Sequence, residues 1–278
     1  MPELAELKLT ADFINQQAVG KVFYAVKKNP IHKGMDPSSE INFPFLLEAK
    51  SRGKELMLQI SPATFSTEEP MQVKSLMMTM GMSGHFEWIE PGVMSKHSHL
   101  RFQAEDGSLD FVDVRRFGKW QFGDWNTDRG PDPTQDFTNF VENINVSLNT
   151  KAFQKPICEV LMNQKYFNGI GNYLRAEILY RADVNPWASA KEAIEQCPEI
   201  LDLCRSLPLE AYRLGGGQLK DWENPFGDKP KDWDEFMLCY GNPKMAKKEH
   251  KGRTVWYNPK WDAWCEYSDL PSPMAYQS

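Results

Sequence analysis

The chain has little that would suit a membrane, a disulfide scaffold or a metal finger. No apolar run approaches the roughly 18 residues of a bilayer span, and the polar N-terminus has no signal-peptide pattern. An intracellular protein with no membrane partner is expected. Cysteine is scarce: Cys158, Cys197, Cys204, Cys239 and Cys265 are odd in number and irregularly spaced, which fits reduced structural thiols and not a paired framework. There is no Cys-x-x-Cys pair, no internal repeat and no low-complexity segment. Positive charge is also short. A net charge of -6 argues, taken alone, against a nucleic-acid partner. Phosphate is bound by a local cluster, however, and two exist: Lys50-Ser51-Arg52-Gly53-Lys54, and Lys244, Lys247, Lys248, Lys251 with Arg253. Either cluster reads equally as a solvated charged face.

At 278 residues, 41% hydrophobic and 12% aromatic, the chain is long enough for two domains with cores of their own. The stretch that organises the rest is the first turn, Met1-Pro2-Glu3-Leu4-Ala5-Glu6. With the initiator methionine removed, Pro2 presents a secondary amine beside two carboxylates. Free α-amino groups titrate near ~7.7 to 8.0 against ~10.4 for lysine, so a large fraction is ready to attack at neutral pH. Amines that attack carbonyl or sugar carbons form Schiff bases. The same residues also make an ordinary helix start, with proline at the first position and acids at the positive end of the dipole.

Leu7, Ala11, Ile14 and Ala18 recur at helical spacing, with Phe13 beside them and Gly20 as a stop. From Lys21 to about Phe122 the period becomes two. Leu56, Leu58 and Ile60 alternate with Glu55, Met57 and Gln59, while His99 to Gln103 and Leu109 to Val114 flank a turn on Asp106-Gly107. This half predicts an antiparallel sandwich or barrel. The turn-rich Asp128-Arg129-Gly130-Pro131-Asp132-Pro133 marks a domain boundary. Helices are expected over Asp136 to Leu148, Pro156 to Gln164, Gly171 to Arg181 and about Ala190 to Leu207. From about Trp233, the runs Thr254-Val255-Trp256-Tyr257 and Trp261-Asp262-Ala263-Trp264 suggest a small β-hairpin.

Gly169-Ile170-Gly171-Asn172 opens the third of those helices. Glycines admit a ligand close to the backbone, and a helix start binds anions; the pattern lacks the third glycine and the preceding strand of a dinucleotide fingerprint. A helix-helix turn capped by Asn172 explains it equally. Phe167-Asn168-Gly169-Ile170-Gly171-Asn172-Tyr173-Leu174-Arg175-Ala176-Glu177 resembles the helix-two-turn-helix segment of the formamidopyrimidine-DNA glycosylase and endonuclease VIII family. Pro2-Glu3 with Glu6 resembles that family's catalytic terminus. Gly81-Met82-Ser83-Gly84, Asp113-Val114-Arg115-Arg116-Phe117-Gly118 and Lys251-Gly252-Arg253-Thr254 follow in the family's order. The resemblance spans essentially the whole chain and is closest to the eukaryotic endonuclease VIII-like 1 branch.

The resemblance implies an α+β fold: an N-terminal helix and antiparallel β-sandwich (1–130), a helix-two-turn-helix domain with a lesion-recognition loop (131–232) and a zincless β-hairpin finger (233–278). It implies a bifunctional base-excision-repair DNA glycosylase and abasic-site lyase. Such an enzyme works without a cofactor, as a monomer in the nucleus, on double-stranded or bubble DNA with oxidised bases or abasic sites. Substrate would bind between the domains. Pro2 would be the nucleophile, Glu3 an acid or base at the sugar ring oxygen, and Glu6 a support for proton traffic, since i, i+3 carboxylates share a helix face. Lys54 corresponds to a lysine that contacts the damaged nucleotide and its phosphate. Asn172 and Arg253 correspond to phosphate ligands, which position without reading sequence. His97 lies near the backbone in this reading, or is a surface histidine beside Ser98. Met82, Arg115 and Phe117 match the positions that fill the hole left by an everted base; Phe117 also reads as a strand-end core residue.

Three features depart from the family. The opening is Pro-Glu-Leu-Pro-Glu in one branch and Pro-Glu-Gly-Pro-Glu in the other, whereas Leu4-Ala5 stands here, and Leu4 is expected to narrow the nucleotide pocket. Many members close the finger with four cysteines on zinc; only Cys239 and Cys265 lie in this region, so no metal is expected and Trp256, Tyr257 and Trp264 would hold it instead. The loop from Leu214-Gly215-Gly216-Gly217-Gln218 to about Lys231 meets the flipped base in relatives, and Gly217 stands where the vertebrate relative has a basic residue. The choice among lesions is not carried over. Two other classes fit parts of the chain: a non-catalytic binder of damaged or abasic DNA, and an N-terminal-proline tautomerase, which leaves Asn172, Arg253 and Met82 unused.

Overall fold

Helix α1, Leu4–Ala18, begins where the sequence supplies a cap: Glu3 and Glu6 form a reciprocal capping box, the Glu3 N–H donating to Glu6 Oε2 at 2.7 Å. Gly20, at φ +70°, follows its end in the left-handed region. Leu7, Ala11, Ile14 and Ala18 are buried as their spacing predicts, and so are Leu4, Ala5, Leu9 and Phe13. The helix is therefore covered on more than one face. The computed structural model describes residues 2–63, 72–93, 95–217, 224–227 and 232–265.

Strands β1 Phe23–Lys28, β2 Phe45–Arg52, β3 Glu55–Pro62, β4 Lys74–Thr79, β5 His85–Ile89, β6 Ser98–Ala104, β7 Gly107–Val112 and β8 Lys119–Phe122 form an antiparallel sheet in the order β5-β7-β6-β1-β2-β3-β4-β8. β2 and β3 pair along their whole lengths, but β1 meets β2 only by Phe23 opposite Phe45. At that weak seam the sheet turns into two halves that face each other. Phe45 of β2 packs edge to face on Phe102 of β6 at 6.4 Å, and Phe111 of β7 on Trp120 of β8 at 6.0 Å. Of the sandwich or barrel that the alternation predicts, this is the sandwich that the family resemblance implies. Phe23, Phe45, Phe86, Phe102 and Phe111 are fully buried in it, each contributing about 1.5–3 kcal/mol. Asn15 pins α1 to β2 through both ends of its amide: Nδ2 donates to Ala49 O at 2.9 Å, and Ala49 N–H donates to Oδ1 at 2.6 Å.

The chain divides into two compact units, Met1–Thr127 with Ala211–Lys231, and Asp128–Glu210 with Asp232–Ser278. The first boundary falls near the expected turn. The segment after Glu210, read above with the helical domain, groups with the sandwich because it is tied to α1: Tyr212 OH donates to Asp12 Oδ2 at 2.6 Å and Gly217 N–H to Glu6 Oε1 at 2.9 Å.

The second unit contains α2 Phe137–Ser147, α3 Ile157–Val160, α4 Asn172–Arg181, α5 Ala190–Gln196, α6 Glu199–Arg213, α7 Trp233–Phe236 and α8 Asp262–Cys265, with the hairpin β9 Ala246–His250 and β10 Arg253–Tyr257. The last three residues of α6 lie beyond the unit boundary. The helix expected over Pro156 to Gln164 is a single turn; Asn163 Oδ1 accepts from the Lys165 N–H at 3.1 Å, a local bond that competes with helix. The helix expected over Ala190 to Leu207 is two, broken at Cys197-Pro198, where proline supplies no N–H. The hairpin also differs from expectation. Thr254 to Tyr257 is a strand, but its partner is the lysine-bearing β9, and Trp261 to Trp264 is helical, begun by Asn258 Oδ1 capping Lys260 N–H at 3.1 Å.

Candidate active site and nucleic-acid interface

Pro2 and Glu3 are buried at the start of α1, and Glu6 is fully buried one turn on. The Glu6 carboxylate is held at both oxygens, by Glu3 N–H on Oε2 and Gly217 N–H on Oε1. Two donated N–H bonds suit the anion. Ala5, which departs from both family openings, and Leu4, which matches one of them, are both buried.

Lys54 stands at the tip of the β2–β3 hairpin, whose two-residue turn places Gly53 at φ +54°. The residues on either side lock that tip. Arg52 Nη2 donates to Glu55 Oε2 at 2.8 Å and to Asn126 O at 2.8 Å, its guanidinium lies 5.2 Å from the Trp125 ring centre, and Asn126 N–H donates to Glu55 Oε1 at 3.1 Å. β2 is also the strand pinned to α1 by Asn15, so the elements that carry Pro2 and Lys54 are tied to each other.

Met82, Arg115 and Phe117 come together. The Arg115 guanidinium lies 4.9 Å from the Phe117 ring centre, and its Nη1 is 3.4 Å from Met82 Sδ. Phe117 is 55% exposed, which removes the reading of it as a core residue. Asp113, fully buried beneath this loop, organises it: Ser83 Oγ donates to Oδ1 at 2.5 Å, Arg115 N–H to Oδ1 at 3.2 Å and Gly118 N–H to Oδ2 at 2.7 Å. Burial pushes the Asp113 carboxyl up, but hydrogen bonds from Ser83, Gly118, Arg115 and Phe117 outweigh it and hold its pKa below the ordinary value. The turn drives Arg116 to φ +58°, an uncommon position for a residue with a side chain. A Cβ on Gly118 would strike the Phe111 ring, and one on Gly81 would press on the Phe117–Gly118 backbone. The two glycine-bearing motifs are thus a pair of loops in close backbone contact.

His97 is partly buried in the turn before β6 and joins the loop through its carbonyl, which accepts from Asp113 N–H at 3.0 Å. Behind it, His99 Nε2 lies 2.8 Å from Asp113 O, and His32 stacks on Trp120 at 4.3 Å. Burial, His99 and Lys28 lower the His32 pKa.

In the second unit, Asn172 is the first residue of α4 and not its cap, which is Gly171 in extended conformation. Its side chain is engaged by Arg175, a 2%-exposed cation. Arg175 Nη2 donates to Asn172 Oδ1 and to Thr254 O at 2.9 Å, and Nη1 donates to Cys158 O at 3.1 Å. Arg253 is exposed beside Thr254, just past a turn with Lys251 at φ +49° and Gly252 at φ +73°, the pattern of a two-residue hairpin. Glu159 of α3 grips that turn, with Lys251 Nζ 2.7 Å and His250 Nε2 3.3 Å from Oε2 and Lys155 Nζ 3.0 Å from Oε1. Burial pushes the Glu159 carboxyl up; Lys251, Lys155 and His250 outweigh it and bring it to about 2.

Glu177, fully buried on α4, accepts Leu238 N–H at 3.1 Å and Cys239 and Tyr240 N–H at 2.8 Å each, and pairs with Arg181. Tyr257 packs on Trp187 at 5.6 Å and Trp256 on Tyr240 at 6.0 Å; the Trp264 side chain lies outside the described residues, as does the loop from Gln218 to Glu223. Among the described residues no three His, Cys, Asp or Glu side chains converge as a metal site requires. Sequence reasoning singled out none of Asp113, Arg175, Glu177 or Glu159, although the first three lie inside the motifs it quoted.

Residues 1–120 match the family model for the formamidopyrimidine-DNA glycosylase N-terminal domain. The mouse protein named endonuclease 8-like 1 is 38% identical over 288 residues, covering 92% of this chain and 72% of the relative. Its human counterpart is 37% identical over 290 residues with the same coverage. Among solved structures, the Lactococcus lactis Fpg protein bound to DNA containing an oxidised pyrimidine superposes with a TM-score of 0.77 at 21% identity, covering 94% of this chain and 99% of that one.

Proposed function

The chain belongs to the formamidopyrimidine-DNA glycosylase and endonuclease VIII family, and from that premise we infer that it is a base-excision-repair DNA glycosylase with abasic-site lyase activity that acts on oxidised bases. The carrying observation is the buried start of α1, where Pro2 precedes a capping box of two carboxylates and Glu6 is held at both oxygens. The mouse and human relatives favour the nucleus as the compartment.

The chemistry uses the amine of Pro2 once Met1 is removed. Its lone pair forms a bond to C1′ of an everted nucleotide as the bond from C1′ to the base breaks, and the proton that the amine nitrogen gives up leaves with the base. Glu3 supplies a proton to the ring oxygen as the sugar opens, giving an iminium ion at C1′. Loss of a C2′ proton to a carboxylate then expels the 3′ phosphate and cuts the strand. Glu6 keeps the turn in place during this traffic. Lys54 meets the phosphate of the damaged nucleotide, Met82, Arg115 and Phe117 fill the vacated stack, and His97, Asn172 and Arg253 hold the backbone. The exposure of Phe117 under a guanidinium supports the filling role, since an aromatic at a loop tip gains burial only when a partner covers it.

The test is reduction with borohydride during incubation with abasic DNA, followed by peptide mapping. A cross-link on Pro2 is expected. DNA retention without an adduct would instead make the chain a damage-binding module.

A further inference from the structure

We propose that Arg175 is a positioning residue that makes Asn172 and Arg253 act on the DNA backbone as one rigid site; this rests on the phosphate roles proposed above. Asn172 is presented by the first turn of a helix and Arg253 by a hairpin strand some eighty positions later, so nothing local fixes their separation. Arg175 does so. One buried guanidinium nitrogen donates both to the Asn172 side chain and to the carbonyl of Thr254, the residue that follows Arg253. The other terminal nitrogen holds Cys158 O of α3 at 3.1 Å. Three elements therefore meet on one planar group, whose fork geometry no other side chain reproduces.

Two consequences distinguish a joint from general packing. Contacts held at a fixed separation bind as a chelate: once one is made, the second is intramolecular, and loosening the link lowers its effective concentration. Removing either contact then forfeits most of what both supply, and removing the second adds little. The Asn172 amide is also oriented, because its oxygen accepts from Arg175 and its NH2 is the end that can donate. A lysine keeps the charge but is a point donor and cannot span the three oxygens.

The experiment measures the Kd of full-length N172A, R253A and the double variant for a duplex with a tetrahydrofuran abasic analogue, in wild-type and R175K backgrounds at one salt concentration. In the wild-type background each single change is expected to weaken binding about ten-fold, which is about 1.4 kcal/mol, and the double variant by less than about thirty-fold in all. With R175K each should cost only about two- to three-fold, multiplying in the double, while KM rises and kcat at saturating DNA is kept. Multiplicative effects in the wild-type background overturn the proposal, and this arm holds whether or not R175K folds. Unchanged non-additivity in folded R175K, checked also with R175Q, overturns it too. If neither N172A nor R253A weakens binding, the phosphate roles themselves fail and the proposal falls with them; the borohydride adduct on Pro2 is independent of that result.

Discussion

The backbone N–H of Gly217 donates to Oε1 of Glu6 at 2.9 Å across 211 positions of sequence. The other carboxylate oxygen takes the Glu3 N–H, so one buried side chain fixes both the turn that carries Pro2 and the start of the segment after α6. Tyr212 reinforces the tie by donating to Asp12; that bond and burial push the phenol up to about 12.

Glu6→Gln tests this arrangement. Glutamine has one oxygen where glutamate has two, so one of the two N–H donors must face an NH2 group. Leaving a buried donor without its acceptor costs about 1–3 kcal/mol. Calorimetry should show a fall in Tm of a few degrees for each kcal/mol, and excision should fall more than abasic-DNA binding. An unchanged Tm would mean that the two bonds do not contribute as argued.

A second prediction concerns Asp113, which accepts from Ser83, Arg115 and Gly118 beneath the exposed Phe117. Asp113→Asn removes the charge those donors stabilise and forces an NH2 toward one of them. Arg116, held at φ +58° by this turn, should relax. Excision of a base from intact duplex, which must fill a vacated stack, should drop by at least ten-fold; cleavage of a preformed abasic site in a bubble should change little. Equal losses on both substrates would separate the loop from stack filling.

Much of this was legible because it is local. Pro2-Glu3 with Glu6, the Gly81 and Asp113 loops, and the glycine before Asn172 are short patterns whose backbone demands show in the letters themselves. What stayed hidden is long-range or breaks a propensity rule. Arg175 and Glu177 sit inside a quoted motif, but their partners, Thr254 and Leu238 to Tyr240, come from more than fifty residues later. β9 reads Ala-Lys-Lys-Glu-His, residues with little preference for strand, and is held by pairing with β10 and by Lys247 and Lys248 over Trp256 and Trp187. The break at Cys197-Pro198 was available from the proline alone. The grouping of Gly217 with the sandwich has no local signal, since its bond to Glu6 spans 211 positions.

The hairpin turn should loosen in acid. Glu159 has a folded pKa of about 2 against an ordinary 4.5, because Lys251, Lys155 and His250 outweigh its burial. A folded value below the unfolded one means stability present above about pH 4.5 and lost as pH falls through about 2. Trp187, packed on His250 at 5.8 Å, reports the site. Its fluorescence should change over that window in the wild type, and the change should vanish in Glu159→Gln. A titration that is identical in both would dissociate the turn from Glu159.

The chain that leads into the β9–β10 hairpin is organised by one buried carboxylate. Glu177 takes three successive backbone N–H groups, Leu238, Cys239 and Tyr240, at 2.8 to 3.1 Å, while Arg181 closes the pair and donates to Phe236 O at 2.7 Å. A buried carboxylate with that many donors organises a turn as a cation organises thiolates, but from the opposite sign. Breaking one partner of such a buried pair costs about 3–5 kcal/mol. Glu177→Gln should therefore lower the melting temperature and weaken DNA binding, whereas treatment with a chelator should alter neither. Stoichiometric zinc in the purified protein, or a chelator-induced loss of stability, would transfer the role from Glu177 to a metal.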